Sequence, residues 1–405
     1  MKPHIFIAIH YMHLGGAETS LLGLLQALDT SKVDVDLFVY SHEGELMRLI
    51  PEGINVLPEN PVWSMFEKPL KLVLKKGYFR MFLARMKAKI RMRKYVTKCN
   101  PKDYSAIHGF VGEEVSRILP NLHNPGMYDL AISFLNPHNF VKDHVLARKK
   151  ICWIHTDYTK IDVNAELELP VWDSYDNVIS ISEDVTKTFL QIFPSLKDKI
   201  VEIENILSPD FVQSRSELIP ESEIEKEMPT ISESLKLLTI GRYSPQKKLE
   251  EIPAICRGII ESGVDVRWYI IGYGGSDDYI RREIEREGMQ NHVFLLGKKE
   301  NPYPYIKACD WYIQPSRYEG KSVVVREAQM LNKPVIVTNY PTASSQIKDS
   351  VDGVIVPMAI PECVAQIAKT LKNDSLRDSI VAYLQEHDYG NMSEVEKVYN
   401  ILANG

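Results

Sequence analysis

Residues 235–275 read LKLLTIGRYSPQKKLEEIPAICRGIIESGVDVRWYIIGYGG, and this stretch decides the fold class. Leu235 to Ile240 is a short apolar run, Leu249 to Ser262 carries apolar residues at helical spacing, and Val266 to Ile271 is a second apolar run that empties into glycines. Two apolar runs joined by an amphipathic helix read as strand, helix, strand, the unit from which parallel sheets are built. The alternation continues through helix Tyr279 to Glu287, strand Val293 to Leu296, helix Tyr303 to Ala308, strand Trp311 to Gln314, helix Val323 to Leu331 and strand Val335 to Thr338. An α/β domain is therefore predicted over 235–385.

A similar series lies upstream. Ile5 to Ile9 is an apolar run broken by Gly15-Gly16, Thr19 to Leu28 carries leucines at helical spacing, and Val33 to Tyr40 reads as the next strand. Leu130 to Phe134, Lys150 to Ile154 and Asn177 to Ile181 add further strands, predicting an N-terminal α/β domain over 1–207. Between the two, 208–234 is rich in Glu, Ser and Pro and poor in apolar periodicity, the composition of an inter-domain connection. The closing helical stretches Cys363 to Leu371 and Ser393 to Leu402 leave open which domain receives the segment 386–405. At roughly 150 residues per domain, 405 residues agree with two.

Composition narrows the class further. With 44% hydrophobic and 25% charged residues, the chain has apolar surface enough for two cores and is neither disordered nor fibrous. The five cysteines, Cys99, Cys152, Cys256, Cys309 and Cys363, are scattered and offer no C-x-x-C pair for zinc or redox chemistry, as expected in a reducing compartment. Ile5 to Ile9 is too short for a secretory signal, and no run approaches the eighteen or so apolar residues of a membrane span, so a cytoplasmic location is expected.

Charge is distributed unevenly. The segment Lys68 to Lys102 holds thirteen Lys or Arg and no Asp or Glu, so against a whole-chain net charge of −6 the remainder carries −19. Leu70, Leu72, Val73, Leu74, Tyr78, Phe79, Phe82 and Leu83 are interleaved with these cations, the make-up of a helix lying on an anionic membrane. Lys71, Lys75, Lys76, Arg80, Arg85, Lys87, Lys89, Arg91, Arg93 and Lys94 are the cations expected to face that surface. The plain alternative is a solvated cationic helix balanced by acidic neighbours. Nucleic acid is disfavoured, because so acidic a remainder repels a polyanion.

The chemistry-bearing residues gather in the second half. Gly241-Arg242 ends a strand and Lys247 and Lys248 follow, which places cations at the carboxyl edge of a parallel sheet, where phosphates bind. Gly272-Tyr273-Gly274-Gly275 lets backbone approach a ligand. Pro315 to Ser322 joins a strand to a helix. Its Gly320-Lys321-Ser322 imitates the end of a P-loop, but Pro315 stands where the first glycine is needed, which excludes a Walker ATPase. Ser322 is the expected N-cap, with the amides of the next turn aimed at an anion. Glu319 and Glu327 then place two carboxylates, acceptors for vicinal hydroxyls, on either side of that helix start.

Gly241-Arg242 with Lys247, Ile271-Gly272-Tyr273-Gly274, Pro315-Ser316 and Glu319 to Glu327-Ala328 together resemble the donor domain of the retaining GT-B glycosyltransferases with the E-x7-E motif. The likeness extends upstream to Gly15-Gly16-Ala17-Glu18, Trp153-Ile154-His155, Ser180-Ile181-Ser182-Glu183 and Glu204-Asn205, and is narrower with the branch that builds bacterial capsular and surface polysaccharides. Two positions depart from the pattern: Lys248 stands where the family usually has glycine, and Thr342-Ala343-Ser344-Ser345-Gln346 replaces its Gly-Gly-x-x-Glu.

The resemblance implies two Rossmann-like α/β domains with parallel sheets facing a central cleft, and transfer of a hexose or N-acetylhexosamine from a nucleotide-diphosphate sugar, such as a UDP-sugar, to a lipid-linked glycan. It implies that Arg242 and Lys247 hold the diphosphate, Glu327 the ribose, Glu319 the transferred sugar, and His155 a sugar hydroxyl or nearby backbone. Gly16, Gly241, Gly272, Tyr273, Gly274, Ser316, Gly320, Lys321, Ser322 and Val323 complete the implied donor set. Gly15, Gly16, Glu18, His155 and Ser182 form the implied acceptor set. No metal or cofactor is expected, Asp34-x-Asp36 lying inside a predicted strand, and attachment to the inner face of the plasma membrane is. The alternatives left open are a non-catalytic sugar-nucleotide-binding or scaffold protein, an inverting GT-B transferase, and a nucleotide-sugar epimerase.

Overall fold

A computed structural model of the chain describes residues 2–100, 104–122 and 126–403, so Lys102 of the cationic segment lies outside the described residues. The chain divides into two units: residues up to Ile206 together with those from Asn391 onward, and Leu207–Gly390.

The first unit is built on strands β1 (His4–Ile9), β2 (Asp34–Val39), β3 (Asn55–Val56), β4 (Tyr128–Ser133), β5 (Ala147–Ile154), β6 (Asn177–Ser180) and β7 (Ile200–Glu202). They pair in the order β3-β2-β1-β4-β5-β6-β7, every pair parallel. Ile5, Phe6, Ile7 and Ile9 of the central strand are all fully buried, as a sheet covered on both faces requires. The strand order turns back between β1 and β4, and at such a switch point the carboxyl ends of the strands leave a crevice for ligands.

The second unit repeats the plan with β8 (Leu235–Ile240), β9 (Val266–Ile271), β10 (Val293–Gly297), β11 (Trp311–Gln314), β12 (Val335–Thr338) and β13 (Val354–Val356), in the order β10-β9-β8-β11-β12-β13, again all parallel. One face buries Ile255, Ile259, Cys363 and Ile367 of helices Ile252–Glu261 and Ile360–Leu371. The other buries Ile306 and Val325 of helices Tyr303–Ala308 and Val323–Met330.

The stretch 208–234 corrects the expectation of a linker. It forms helices Pro209–Ser216 and Glu221–Glu227, whose Val212 and Ile224 are buried with Met228, Ile306 and Val325 in the core of the second unit. Pro209 and Pro220 stand at helix starts, where a missing N–H costs nothing, and the Ser208 hydroxyl caps the first helix by accepting the Phe211 N–H. At the other end, helix Val395–Ala403 packs on the first unit: the Asp29 N–H donates to the Tyr399 hydroxyl at 2.7 Å and Lys149 Nζ donates to the Ile401 carbonyl at 3.0 Å.

The cationic segment is two helices, Leu70–Lys75 and Phe79–Cys99, separated at Gly77. Met81, Ala84, Ala88 and Met92 form the buried face of the longer one. Three of the cations expected to face a membrane are engaged within the protein, which corrects that part of the reading. Arg85 donates to the Met65 and Lys68 carbonyls, Lys87 pairs with Glu114 at 2.8 Å, and Arg91 pairs with Glu113 and Glu114 at 2.7 and 2.6 Å. Burial raises the Glu114 carboxyl, and the bonds from Lys87 and Arg91 overcome it, leaving Glu114 below the usual carboxylate range.

Candidate active site

The site in the second unit is assembled from loops at the carboxyl ends of β8, β9 and β11. The first two loops lie against each other without side chains between them. A Cβ on Gly272, at φ 154°, would fall 1.9 Å from the Gly241 carbonyl oxygen, and one on Gly274, at φ 156°, would fall 2.5 Å from that of Tyr243. Only glycine fits there. Gly272→Ala is therefore expected to lose more than about 3 kcal/mol of stability, read as the denaturant midpoint, because strain and clash coincide; Gly275→Ala, with open space around it, is the control.

Beyond Gly241 the exposed Arg242 guanidinium forms no ion pair among the described residues. The chain then enters a short turn, Pro245–Lys247, whose end at Lys248 takes the left-handed conformation at φ 58°. Glycine adopts this conformation freely; here a lysine is held in it, with Nζ donating to the Met358 carbonyl at 2.6 Å and pairing with Glu251 at 2.8 Å. Lys248 is thus an anchor of the turn that aims Lys247.

Lys247 Nζ meets Glu319 Oε1 at 2.6 Å, a direct link between the loop after β8 and the loop after β11. The same oxygen receives the Ser316 hydroxyl at 2.5 Å and the Gln314 amide at 3.3 Å, while Oε2 has, among the described residues, one long contact of 3.5 Å from Gln246. One carboxylate oxygen is therefore saturated and the other retains acceptor capacity, and the ammonium keeps donors beyond the one it gives. Arg317 fixes the loop from outside, pairing with Glu250 and Glu251 at 2.8 Å. The Thr342 hydroxyl donates to the Glu319 carbonyl at 3.1 Å.

Gln314 and Gln246 were not singled out as site residues in the sequence, although Gln314 closes an otherwise apolar strand, which is a signal in itself, and Thr342 and Gln346 were marked only as departures from the family pattern. Gln346 explains one departure from the family pattern. Its side chain accepts the Ser322 N–H at 3.0 Å and donates to the Ser322 carbonyl at 2.6 Å, a two-way clamp that an ionised glutamate has no donor to make. Ser322 is the N-cap residue of helix Val323–Met330, but its side chain makes no capping bond, correcting the expected role of that hydroxyl. Gly320, Lys321 and Val323 lie on the same loop and helix start, where the first amides lack partners within the helix.

Glu327, one turn further in, is fully buried, and Oε1 accepts the Tyr303 hydroxyl at 2.8 Å. Burial pushes its pKa up to about 7, opposed by that hydrogen bond. Between the unfolded value near 4.5 and about 7 the native state holds the extra proton, so its stabilising contribution is complete below 4.5 and disappears as pH rises through 7. Glu327→Gln should flatten this part of the stability profile and gain up to ~3 kcal/mol at pH 8, measured by denaturant titration. Glu168 in the first unit is raised to about 7 by the same cause, and Glu168→Gln separates the two contributions.

In the first unit the candidate residues also follow strands. Gly15 is the N-cap of helix Gly16–Ala27, with the Glu18 carboxylate folded back over it; Gly16 has no atom within 4 Å of a would-be Cβ. Ser20 donates to Asn205 at 2.9 Å. The His155 Nε2–H donates to the Phe134 carbonyl at 2.9 Å, and burial, opposed by this bond, pushes the imidazole down to about 4. The ring is neutral at pH 7 and its Nδ1 is left as an acceptor for a hydroxyl. The Ser182 hydroxyl accepts the Val185 N–H at 3.2 Å and so caps a helix. Asp36 of the D-x-D pair is buried in bonds to Asn55 and Tyr128, a structural setting. Among the described residues no group of three or more His, Cys, Asp or Glu gathers as a metal site would.

Residues 221–387, most of the second unit, match the family model described as glycosyl transferases group 1. An uncharacterized glycosyltransferase of Methanocaldococcus jannaschii is 28% identical over 192 residues, 47% of this chain and 46% of that protein. The N-acetylgalactosamine-N,N'-diacetylbacillosaminyl-diphospho-undecaprenol 4-alpha-N-acetylgalactosaminyltransferase of Campylobacter jejuni is 27% identical over 143 residues, 35% of this chain and 38% of that protein. The matches thus span less than two thirds of the length of these curated relatives. Among solved structures, Anabaena HepE in complex with UDP and glucose superposes over 100% of both chains with a TM-score of 0.68 at 15% identity. The chain shares the fold of that protein, two Rossmann-like units of the GT-B type.

Proposed function

We propose that this chain is a retaining glycosyltransferase that moves a hexose or N-acetylhexosamine from a UDP-sugar to a lipid-linked glycan in the assembly of a bacterial surface polysaccharide. The observation that carries the reading is the Lys247–Glu319 pair, held by Ser316 and Gln314 beside a helix start inside the segment that matches glycosyl transferases group 1. Lys247 and Arg242 offset the charge that develops on the departing diphosphate, without a metal, and the helix start adds its amides. Glu319 Oε2 takes a hydroxyl of the transferred sugar. Glu327, when ionised, takes the ribose hydroxyls. Attack occurs on the face the nucleotide leaves, with a donor phosphate oxygen accepting the proton of the attacking hydroxyl.

The test is a thermal-shift screen of nucleotide sugars followed by product analysis with the stabilising donor, since a true donor raises the melting temperature by mass action. An inverted product anomer removes the retaining mechanism; absence of stabilisation by any nucleotide sugar removes the transferase reading. UDP affinity should also rise between pH 6 and 8 in the wild type and lose most of that rise in Glu327→Gln, as calorimetry would measure, because the ionised carboxylate is the better acceptor.

The acceptor is assigned to a membrane surface on the strength of the cationic helices. Phe79, Leu83 and Ile90, at i, i+4 and i+11, share one face of the longer helix, opposite its buried residues, and Phe79 and Leu83 are 63% and 65% exposed. Among the described residues Lys71, Lys75, Lys76, Arg80, Lys89, Arg93 and Lys94 are exposed and form no ion pair. An apolar stripe flanked by unpaired cations suits the headgroup region of an anionic bilayer on the cytoplasmic side. No helix among the described residues is long and apolar enough to cross a membrane. The diphospho-undecaprenol in the name of the Campylobacter jejuni relative accords with such an acceptor.

A further inference from the structure

Helix Tyr303–Ala308 follows β10 through Asn301 and Pro302, and its first residue bonds to helix Val323–Met330: the Tyr303 hydroxyl donates to Glu327 Oε1 at 2.8 Å. The tyrosine is braced by the segment 208–234. Phe211 of helix Pro209–Ser216 stands edge-on to the Tyr303 ring at 6.1 Å, and the Asn301 amide donates to the Arg215 carbonyl of the same helix at 2.7 Å. Val212 of that helix and Ile306 of the tyrosine's own helix share one core. A ring that is both packed and hydrogen-bonded is held in one orientation, and so is the oxygen it bonds.

The two oxygens of Glu327 differ. Oε1 is committed to Tyr303, whereas Oε2 accepts no hydrogen bond among the described residues and yet is not sealed from solvent. A carboxyl buried for packing alone has its oxygens paired. An acceptor left open on an otherwise buried carboxyl is what a ligand hydroxyl requires. Burial and Glu327 hold the Tyr303 hydroxyl well above the usual phenol range, against the charge of Arg215, so it stays a donor throughout the neutral range. Such a donor favours the charged carboxylate, and Tyr303 thus opposes the burial that pushes Glu327 up to about 7. The other titratable groups nearby are engaged elsewhere. Tyr312 of β11 gives its proton to Gln314 at 2.5 Å, Arg326 acts on Tyr389, and Glu319 is paired with Lys247.

We infer that Tyr303 is the positioning residue of the ribose carboxylate: its hydroxyl holds Oε1 so that Oε2 is presented to the hydroxyls of a ribonucleoside diphosphate, and it steadies the negative charge that accepts them. The inference rests on the transferase reading above for the nucleotide, and on the bonded pair for the role of the tyrosine. Tyr303 acts through Glu327 alone. The segment 208–234 thereby takes part in nucleotide uptake, since its Phe211 and Arg215 supply the brace behind the ring.

The experiment is calorimetry of UDP on the full chain across the neutral and alkaline range, joined to ¹³C NMR of the Glu327 carboxyl in the nucleotide-free protein, its resonance assigned by its loss in Glu327→Gln. Tyr303→Phe keeps the ring and removes the donor. It should move the rise of UDP affinity up by about one pH unit, so that binding is about fivefold weaker near pH 7 and recovers toward the wild type near pH 9, and the carboxyl titration should move with it. KM for the nucleotide sugar should rise with kcat at saturation unchanged, since the bond serves ground and transition states alike. On the Glu327→Gln background the same substitution should change UDP affinity by less than about twofold, as no charge remains to be steadied. Replacing Tyr303 by 3-fluorotyrosine, a stronger donor on nearly the same ring, should move both profiles to lower pH without a change in packing. An unmoved carboxyl titration in either variant, or a loss of affinity equal at every pH, overturns the inference. If UDP fails to bind the wild type the transferase reading falls, while the carboxyl titration, which needs no nucleotide, still decides whether Tyr303 governs Glu327.

Discussion

Lys247→Ala should lower glycosyl transfer by about 10²- to 10³-fold, the usual cost of removing one preorganised donor from a developing negative charge. The loss should fall mainly on kcat, since the charge that Lys247 meets grows as the bond to the diphosphate breaks. The variant should remain folded. Glu319 Oε1 keeps the Ser316 hydroxyl and the Gln314 amide after the ammonium is gone, so the carboxylate is under-paired rather than stranded. Adding Glu319→Gln on the Lys247→Ala background removes that leftover charge. It should recover stability and leave transfer as low as before, which separates the electrostatic role of the lysine from its structural one. Near-normal kcat in the single variant would take Lys247 out of the mechanism.

The second large effect concerns the surface. Six of the unpaired cations, Lys71, Lys75, Lys76, Arg80, Lys89 and Arg93, changed together to glutamine should reduce partitioning onto phosphatidylglycerol vesicles by at least about a thousandfold, at roughly 1 kcal/mol per cation near an anionic bilayer. Sedimentation with vesicles measures it. Wild-type binding should itself fall with added salt as the surface potential is screened. A contrasting set, Arg85, Lys87 and Arg91 to glutamine, removes three charges of the same helix that are spent on Met65, Lys68, Glu113 and Glu114. That set should lower stability, because the buried Glu114 loses Lys87 and Arg91 and keeps only the longer contact to Arg117 among the described residues, and change partitioning far less. If the sixfold variant sediments like the wild type, the membrane assignment falls.

The strands that carry the second sheet were legible because they are buried on both faces and bounded by glycine, proline or polar residues: β8, β9, β11 and β12 begin and end at the residues the apolar runs predicted. The edge strands β3, β7 and β13, of two or three residues, escaped notice because periodicity cannot show in so short a run. In 208–234 a high content of Glu, Ser and Pro hid two helices, whose apolar contribution to the core is only a few residues each. The site was legible where chemistry and spacing coincide in one loop, as at Glu319. It was illegible where the partner comes from elsewhere in the chain. Nothing near Glu327 announces Tyr303, and nothing near Arg91 announces Glu113 and Glu114. Burial shifts the titration of Glu327 and His155 for the same reason: the environment that moves them is tertiary.

The attachment of helix Val395–Ala403 to the first unit bears on the order in which the protein is made. A ribosome delivers 207–390 before the segment that the first sheet awaits, so the second unit can finish while the first still shows an uncovered flank around Asp29 and Lys149. During synthesis that flank stays open to solvent until residues 395–403 emerge, and their deletion would be felt around Asp29 and Lys149.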